Sequence, residues 1–127
     1  MHNAELDTFR REKYISLETF KKNGEGVKTP IWFAVSENGM IYAYTMAHSW
    51  KVKRIRNNPR VRIAPSDIRG NVKGRWIDGT ARILEPGEPE FITGNKLLDQ
   101  KYLLKKLFNW AAKMRGHKRA GIAIHLG

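Results

Sequence analysis

Short apolar segments separated by turn signals recur along this chain, and their spacing constrains the fold more than any other feature. Glycine-containing turns are expected at 23–26, 37–39 and 69–71. The segments between them have the alternation and the β-branched or aromatic content of strands. Strands are predicted at 14–20, 31–35, 40–45, 61–65, 74–84 and 120–126. About six strands with few helices predict a mainly β fold, a small antiparallel barrel. A chain of 127 residues is expected to form a single domain, 1–127.

Helical patterns occur at three places. Residues 3–12 form a short amphipathic pattern, and a basic segment before Pro59 predicts a second short helix. The longest helix is predicted over 95–115, where apolar residues such as Leu97 and Leu104 recur at helical spacing. Within the strands, Gly79 predicts a bend or bulge and Pro65 an edge or a strand end. Residues 85–90 are expected to form a loop.

The basic segment is the strongest functional signal. Six of the twelve residues from Lys51 to Arg62 are Lys or Arg, and no acid occurs between Glu37 and Asp67. A helix N-terminus that combines free backbone N–H groups, a hydroxyl and cations can bind phosphate. The segment therefore favours a phosphorylated cofactor. Thr45 and Ser49 are placed as hydroxyl caps, Val52 and Ile55 form an apolar stripe, and Lys51 and Arg54 share a side that Lys53 and Arg56 do not.

Composition narrows the classes of function. The net charge of +12 and the pI near 10.2 favour an anionic partner: nucleic acid, anionic lipid or a cofactor with phosphate and carboxylate groups. No apolar run approaches the ~20 residues of a membrane span, and there is neither a signal-peptide core nor a cysteine, so a cytoplasmic location is expected. No residues have metal-ligand spacing. No acid–base pair is recognisable either, which agrees with chemistry carried by a cofactor.

The order of these segments resembles the split β-barrel flavin and deazaflavin oxidoreductases, the relatives of pyridoxamine 5'-phosphate oxidase. The likeness runs from about residue 14 to residue 84 and is greatest to the branch that uses the deazaflavin coenzyme F420. The residues that carry it are Leu17-Glu18-Thr19-Phe20, Thr29-Pro30-Ile31-Trp32-Phe33, Ser49, Lys51-Val52-Lys53-Arg54-Ile55-Arg56, Asn58-Pro59-Arg60-Val61 and Gly79-Thr80-Ala81-Arg82. Trp50 stands where the family often has Gly, and Ser66 where Cys is common.

The resemblance implies a homodimer with two cofactors in grooves between the protomers, a small-molecule substrate, and neither nucleic acid nor membrane as a partner. It implies no catalytic side chain, because the cofactor carries the hydride. Ser49 and Lys51 would hold the phosphate, with Thr45 nearby and Lys53 and Arg54 on the phosphate or the anionic tail. The backbone of Thr29, Pro30, Ile31 and Trp32 would line the ring, and Trp50 would reshape the phosphate loop or stack on the cofactor. Trp76 and its neighbours would close the site, either from the same chain or from the other protomer.

These residues lead to one main hypothesis and leave alternatives open. The main hypothesis is a reductase that transfers a hydride between coenzyme F420 and a small electrophilic organic molecule. The alternatives are an FMN-binding oxidoreductase of the same fold, a basic nucleic-acid-binding module and a cofactor carrier without turnover. His48 is a further candidate for phosphate contact or proton donation, whereas Arg56 and Arg60 are expected to be solvated or paired with acids.

Overall fold

A single antiparallel sheet is the main element of the structure. The computed structural model describes residues 3–101 and 119–127, which form three helices and seven strands. The strand order in the sheet is β2-β1-β5-β6-β7-β4-β3. The elements are α1 (Asn3–Arg11), β1 (Tyr14–Phe20), β2 (Gly26–Ile31), β3 (Ala34–Val35), β4 (Ile41–Met46), α2 (Trp50–Asn57), β5 (Arg60–Ser66), β6 (Ile77–Leu84), α3 (Pro89–Lys101) and β7 (Arg119–Leu126).

The sheet curls around a hydrophobic core, and its two faces carry separate apolar clusters. Alternate residues point to opposite faces of a strand. The inner cluster includes the fully buried Leu17, Ile63 and Ile122, together with α1 residues. On the outer face, α3 packs against β3 and β4, and its Phe91 contacts the Tyr44 ring at 4.9 Å between centroids. The predicted mainly β class, a curled half-barrel with a few helices, is confirmed.

Helix α2 begins and ends where the sequence predicts and contacts β1, β4 and β6. Ser49 is the N-cap, and its Oγ accepts a hydrogen bond from the Val52 N–H at 3.4 Å. Asn58, directly before Pro59, is the C-cap and donates its N–H to the Arg54 carbonyl at 2.8 Å. Val52 and Ile55 are buried beneath the helix. The predicted Ser49 cap and the apolar stripe are confirmed, and they fix which side of α2 faces the sheet. Thr45, the other predicted cap, lies in β4 and contacts the Ser49 Oγ instead of capping the helix.

The predicted strand at 31–35 is wrong in its position. Strand β2 ends at Ile31, Trp32 and Phe33 lie between strands, and the short β3 follows. The register pairs Ile15 with Ile31 and Phe20 with Gly26, so β2 continues the β1 hairpin from Gly26 onwards. Pro30 suggested a strand start, yet an edge strand tolerates proline because one side of its backbone has no ladder partner.

The long predicted strand at 74–84 begins later than expected, at Ile77. Gly79 does not form a bulge: it pairs in register with both Val61 and Leu126. A Cβ at this position would lie 3.0 Å from the His125 carbonyl oxygen, so glycine permits close strand approach here. Pro65 lies near the end of β5, as predicted, although β5 is an interior strand of the sheet.

Helix α3 starts earlier than predicted. It begins at Pro89 within the expected loop, a position where proline's fixed φ and missing N–H suit a helix start. Residues 95–101 are helical as predicted, and residues 102–115 of the predicted helix lie outside the described residues. In the described part of the chain, no helix is both long and apolar enough to cross a membrane.

Candidate anion site at the start of helix α2

Two cations of α2 face the sheet. Lys51 and Arg54 are half-buried, whereas Lys53 and Arg56 are exposed, so the predicted division of the helix into two sides is confirmed. The Arg54 Nε donates a hydrogen bond to the Thr19 Oγ1 at 2.6 Å. This contact ties the guanidinium to the end of β1 and orients its other N–H groups.

Lys51 and Arg54 have no acidic partner among the side chains that the structure describes. Burial lowers the pKa of Lys51, and the charge of Arg54 lowers it further. Burial also lowers the pKa of Arg54. A half-buried pair of like charges is unfavourable on its own, and an anion between the two side chains would reverse that.

Hydroxyl groups lie beside these cations. The Thr45 Oγ1 donates to the Ser49 Oγ at 3.3 Å, so the end of β4 and the start of α2 are joined. Ser49 caps the helix through Val52, while the first turn of any α-helix has further N–H groups without intrahelical acceptors. The helix dipole adds partial positive charge at the same end. The structure thus brings Thr45, Ser49, Lys51 and Arg54 together at one end of the curled sheet.

Trp50 is the first residue of α2 and is 70% exposed. The Lys53 Nζ lies 4.4 Å from the centroid of its ring, a cation–π contact on the solvent side of the helix. Trp50 and Lys53 therefore form an exposed aromatic and cationic surface next to the half-buried pair. The His48 side chain is also exposed, in the turn before the helix.

The predicted ring-binding segment falls partly in β2. Within the described residues β2 pairs with β1 alone, so the other side of its backbone is available for hydrogen bonds. Thr29 Oγ1 is buried and has no hydrogen-bond partner among the described atoms. Pro30 is exposed, Ile31 is part of the inner core, and Trp32 packs against the outer cluster. Thr29 is therefore the member of this segment whose side chain has unused hydrogen-bonding capacity.

Trp76 lies apart from the α2 cations. Its ring has the Lys28 Nζ at 5.1 Å and the Arg62 guanidinium carbon at 5.2 Å from its centroid. Lys28 and Arg62 are the cross-strand partners of Glu18 on the outer face, and Arg62 also forms an ion pair with Glu18 at 3.2 Å. The structure does not bring Trp76 to Lys51 within one chain.

The other cations of the basic segment are paired, as predicted. Arg56 lies 2.8 Å from Glu85, and Arg60 lies 3.5 Å from Asp78. The residue that sequence reasoning missed is Thr19. It was recognised as part of the family pattern at the end of the first strand, and that position was the signal that could have placed it beside the helix.

Among the described residues, no group of three or more His, Cys, Asp or Glu side chains is placed to hold a metal ion. Two cavities lie away from α2. One is lined by residues of α1 and the start of β6, and the other by residues of α3 and β3.

No protein-family model matches the chain, and no curated protein matches it. A solved structure of a conserved hypothetical protein from Mycobacterium tuberculosis is 26% identical, with a TM-score of 0.71 over 99% of this chain and 81% of that one. The heme storage protein HutZ from Vibrio cholerae is 13% identical, with a TM-score of 0.72 over 98% of this chain and 89% of HutZ.

A FAD-binding protein from Mesorhizobium loti is also similar, at 19% identity and a TM-score of 0.67 over 100% of this chain and 91% of that one. The fold is a split β-barrel. This confirms the fold expected from the resemblance, while identities this low show shared architecture and no more. Neighbours described as binding FAD or storing heme show that the same architecture serves more than one ligand.

Proposed function

We propose that the start of α2 holds the phosphate group of a flavin-type cofactor and that this cofactor is coenzyme F420. The observation that carries the proposal is the pair of half-buried cations, Lys51 and Arg54, without a carboxylate partner among the described residues. Side chains that are desolvated and repel each other gain most from a bound phosphate.

The chemistry of the neighbouring groups fits such a ligand. Arg54 offers N–H donors beyond the one used on Thr19, and Lys51 offers a mobile point charge. The Thr29 Oγ1, which has no partner among the described atoms, could bind the polar edge of a ring system together with the side of β2 that no described strand pairs with. When bound, the deazaflavin ring supplies the hydride for a small electrophilic organic substrate. The role of the chain is to position the ring and to neutralise the anionic part of the cofactor.

The exposed surface next to the cation pair supports a deazaflavin over FMN. FMN has one terminal phosphate, whereas the deazaflavin coenzyme carries a phosphodiester and an oligoglutamate tail. Lys53 and Trp50 lie on the solvent side of the same helix, where a tail leaving the phosphate site would pass. The net charge of +12 would also favour the more anionic cofactor.

A homodimer is part of this proposal. Trp76 was expected to close the site from its own chain or from the other protomer, and within one chain it lies on the outer face of the sheet, away from Lys51. A second protomer would have to bring its own Trp76 towards the first protomer's α2. Size-exclusion chromatography with light scattering would check this, and a monomer at micromolar concentration would contradict the dimer.

FMN is the second candidate cofactor. The similar fold of the FAD-binding protein from Mesorhizobium loti supports a flavin in this architecture. FMN would still use Lys51 and Arg54 for its phosphate but would leave Lys53 without a role in binding.

Parallel fluorescence titrations with coenzyme F420 and with FMN would test the proposal. We expect micromolar or tighter binding of coenzyme F420 and weaker binding of FMN. A preference for FMN would retain the site and change the cofactor. Binding of neither would contradict the proposal, and the steep salt dependence typical of nucleic-acid binding would then be examined with oligonucleotides.

Lys51 and Lys53 form a matched pair of variants for the same titration. Lys51→Ala should weaken the binding of coenzyme F420 by about 1–3 kcal/mol, because a charge-assisted contact to phosphate is lost. It should weaken FMN binding as well. Lys53→Ala should affect coenzyme F420 alone, since FMN has no tail to contact. Unchanged affinity of Lys51→Ala for both cofactors would remove Lys51 from the site.

A further inference from the structure

A cavity of about 370 Å³ lies between α1 and the segment that leads into β6. Its apolar wall includes Phe9, Pro65 and Ile77. Phe9 and Pro65 are buried, and Ile77 is half-buried. Pockets for small molecules have volumes of about 300–1,000 Å³ and mostly apolar walls, with a few polar groups that orient the ligand. The cavity therefore has the size and the lining of a small-molecule pocket.

The cavity is separate from the α2 site. Strand β5 starts directly after α2, and Pro65 is five residues beyond the first residue of that strand, Arg60. Five strand residues span about 17 Å, so the cavity lies at the opposite end of β5 from α2. A ligand here would not contact Lys51 or Arg54 of the same chain.

The charged side chains of the cavity have partners of their own. The Lys73 Nζ lies 2.6 Å from the Glu12 Oε1, so these two charges offset each other. Arg75 also lines the cavity, and it too has an interaction partner within the chain. An anionic ligand would meet the Glu12 carboxylate, and a cationic ligand would meet Lys73 and Arg75. Because a charged ligand would lose water without gaining a free counter-charge, this setting favours an uncharged one.

The Glu12 side chain is the polar group that can orient an uncharged ligand. It is 21% exposed, and the hydrogen bond from Lys73 goes to one of its two oxygens, Oε1. A carboxylate has about four acceptor sites, so Glu12 can accept a further hydrogen bond while it remains paired with Lys73. Bonds from an N–H or O–H donor to an ionised carboxylate are stronger than those between neutral groups. A single donor on the ligand would therefore be enough to fix its orientation.

The segment that forms one wall of the cavity approaches β5 closely. The Lys73 N–H donates to the Pro65 carbonyl at 2.8 Å, and Val72 forms an isolated bridge with Ser66. A Cβ at Gly74 would lie 2.9 Å from the Pro65 Cγ, so a side chain at this position would push the segment away from β5. The absence of a side chain at Gly74 thus keeps both the approach and the open space beside it.

We propose that this cavity binds an uncharged bicyclic aromatic molecule with one N–H or O–H donor, which donates to the Glu12 carboxylate. The rings would lie against Phe9, Pro65 and Ile77. The proposal does not depend on the cofactor of the α2 site. Indole is an appropriate probe because it is bicyclic and uncharged and has a single N–H donor. Its analogue 1-methylindole keeps the rings and lacks the donor.

The test is a titration of uniformly ¹⁵N-labelled full-length protein with indole, followed by amide chemical shifts. The amides of Gly74 and Ile77 should shift in a saturable way. In the same experiment 1-methylindole should bind about tenfold more weakly, because the hydrogen bond to the carboxylate is lost. The anion indole-3-carboxylate should also bind more weakly than indole, because its charge gains no free partner in the cavity.

Two acids of α1 provide matched variants. Glu12→Met removes the acceptor, so it should weaken indole about tenfold and leave 1-methylindole within about twofold of wild type. The two probes should then bind about equally. Asp7→Met removes the same charge from an exposed position of the helix outside the cavity, and it should retain the tenfold preference for indole. Circular dichroism would verify that both variants are folded.

The comparison of probes on the wild-type protein decides the proposal even if a variant does not fold. Equal affinity for indole and 1-methylindole, or no shift at millimolar indole, would overturn it. Tighter binding of indole-3-carboxylate than of indole would overturn the assignment of an uncharged ligand. A preference for indole that persists in Glu12→Met would overturn the role of Glu12. Shifts confined to residues 49–54 would contradict the proposal as well, since the probe would then occupy the α2 site.

Discussion

Cations occur in two contrasting settings in this protein. Arg82 in β6 is flanked by glutamates: it pairs with Glu88 at 3.0 Å and also with Glu90. The hydrogen bond that Arg82 donates to the Glu88 carboxylate raises the pKa of Arg82, with the charges of both glutamates adding to the effect. Lys51 and Arg54 have no such partners among the described residues, and burial lowers the pKa of both.

This difference distinguishes cations that stabilise the fold from cations that would gain from a bound anion. A cation whose acids come from its own chain is already satisfied and has no need of a ligand. The half-buried pair of Lys51 and Arg54, with no acid beside it among the described residues, lowers the stability of the folded protein. Unfavourable arrangements of this kind are found most often at binding sites.

The largest effect is expected for Arg54 in α2, and Arg56 on the same helix is its matched control. Arg54→Gln should weaken binding of coenzyme F420 by about 10- to 100-fold, because a charge-assisted contact to phosphate is lost. Arg56→Gln removes the same charge two residues away, where the side chain pairs with Glu85, and should change affinity by less than about threefold. Fluorescence titration of both variants would check this, and equal losses would show that only the overall charge of the helix matters.

Lys101 is another half-buried lysine, and it should make the free energy of unfolding depend on pH. Burial lowers the pKa of Lys101 to about 8, with the charge of Glu12 offsetting part of the effect. Between that value and the ordinary 10.5, the unfolded chain binds a proton that the folded chain has lost. The free energy of unfolding should therefore rise with pH across this window.

Lys101→Met lacks the titrating group. With solvent screening allowed for, the free energy of unfolding of this variant should rise by about 1–2 kcal/mol less than that of wild type across the window. Urea denaturation at pH values from about 8 to 10 would measure it. The pKa of Tyr44 is raised by burial, so its own destabilising contribution enters only above pH 10. An identical pH slope in wild type and Lys101→Met would contradict the account of buried lysines.

The hydroxyl of Thr29 should show opposite effects on stability and on binding. Thr29→Val replaces a buried oxygen that has no partner among the described atoms with a methyl group. Unfolding of the cofactor-free protein should then cost about 1 kcal/mol more, whereas cofactor affinity should fall several-fold. Chemical denaturation and titration of the same variant would check both effects. Lower stability with unchanged affinity would show that the hydroxyl has a structural partner instead.

The smallest effects are expected on the stability of the cofactor-free protein, when a cation is removed from either of the two settings. Lys51→Met should raise the stability of the cofactor-free protein slightly, since a desolvated cation beside another cation is removed. Arg82→Met should lower it by less than about 1 kcal/mol, because exposed ion pairs contribute little. Thermal unfolding of both variants would show the signs. A loss of stability in Lys51→Met would mean that the lysine already has a partner.

Local patterns in the sequence were sufficient to predict much of the fold and the frame of the site. The bounds of β1 follow from its alternation, and those of α2 follow from Ser49 at one end and Pro59 at the other. These features depend on neighbouring residues alone, so they are readable without the tertiary structure.

Long-range pairing accounts for what could not be predicted. The contact between Arg54 and Thr19 joins residues 35 positions apart, where α2 crosses the end of β1. The predicted position of β2 was wrong because Pro30 suggested a strand start, whereas it lies inside an edge strand whose register is set by β1. Trp76 contacts Lys28 and Arg62 on the outer face within one chain, so its predicted role in closing the site depends on the second protomer. No local pattern carries that information.

A crystal structure of the protein grown with coenzyme F420 would show whether the start of α2 holds the phosphate. We expect phosphate oxygens within about 3 Å of the Lys51 Nζ and the Arg54 guanidinium. Coenzyme bound at any other surface, with Lys51 and Arg54 free of phosphate, would contradict the claim that this cation pair is the cofactor site.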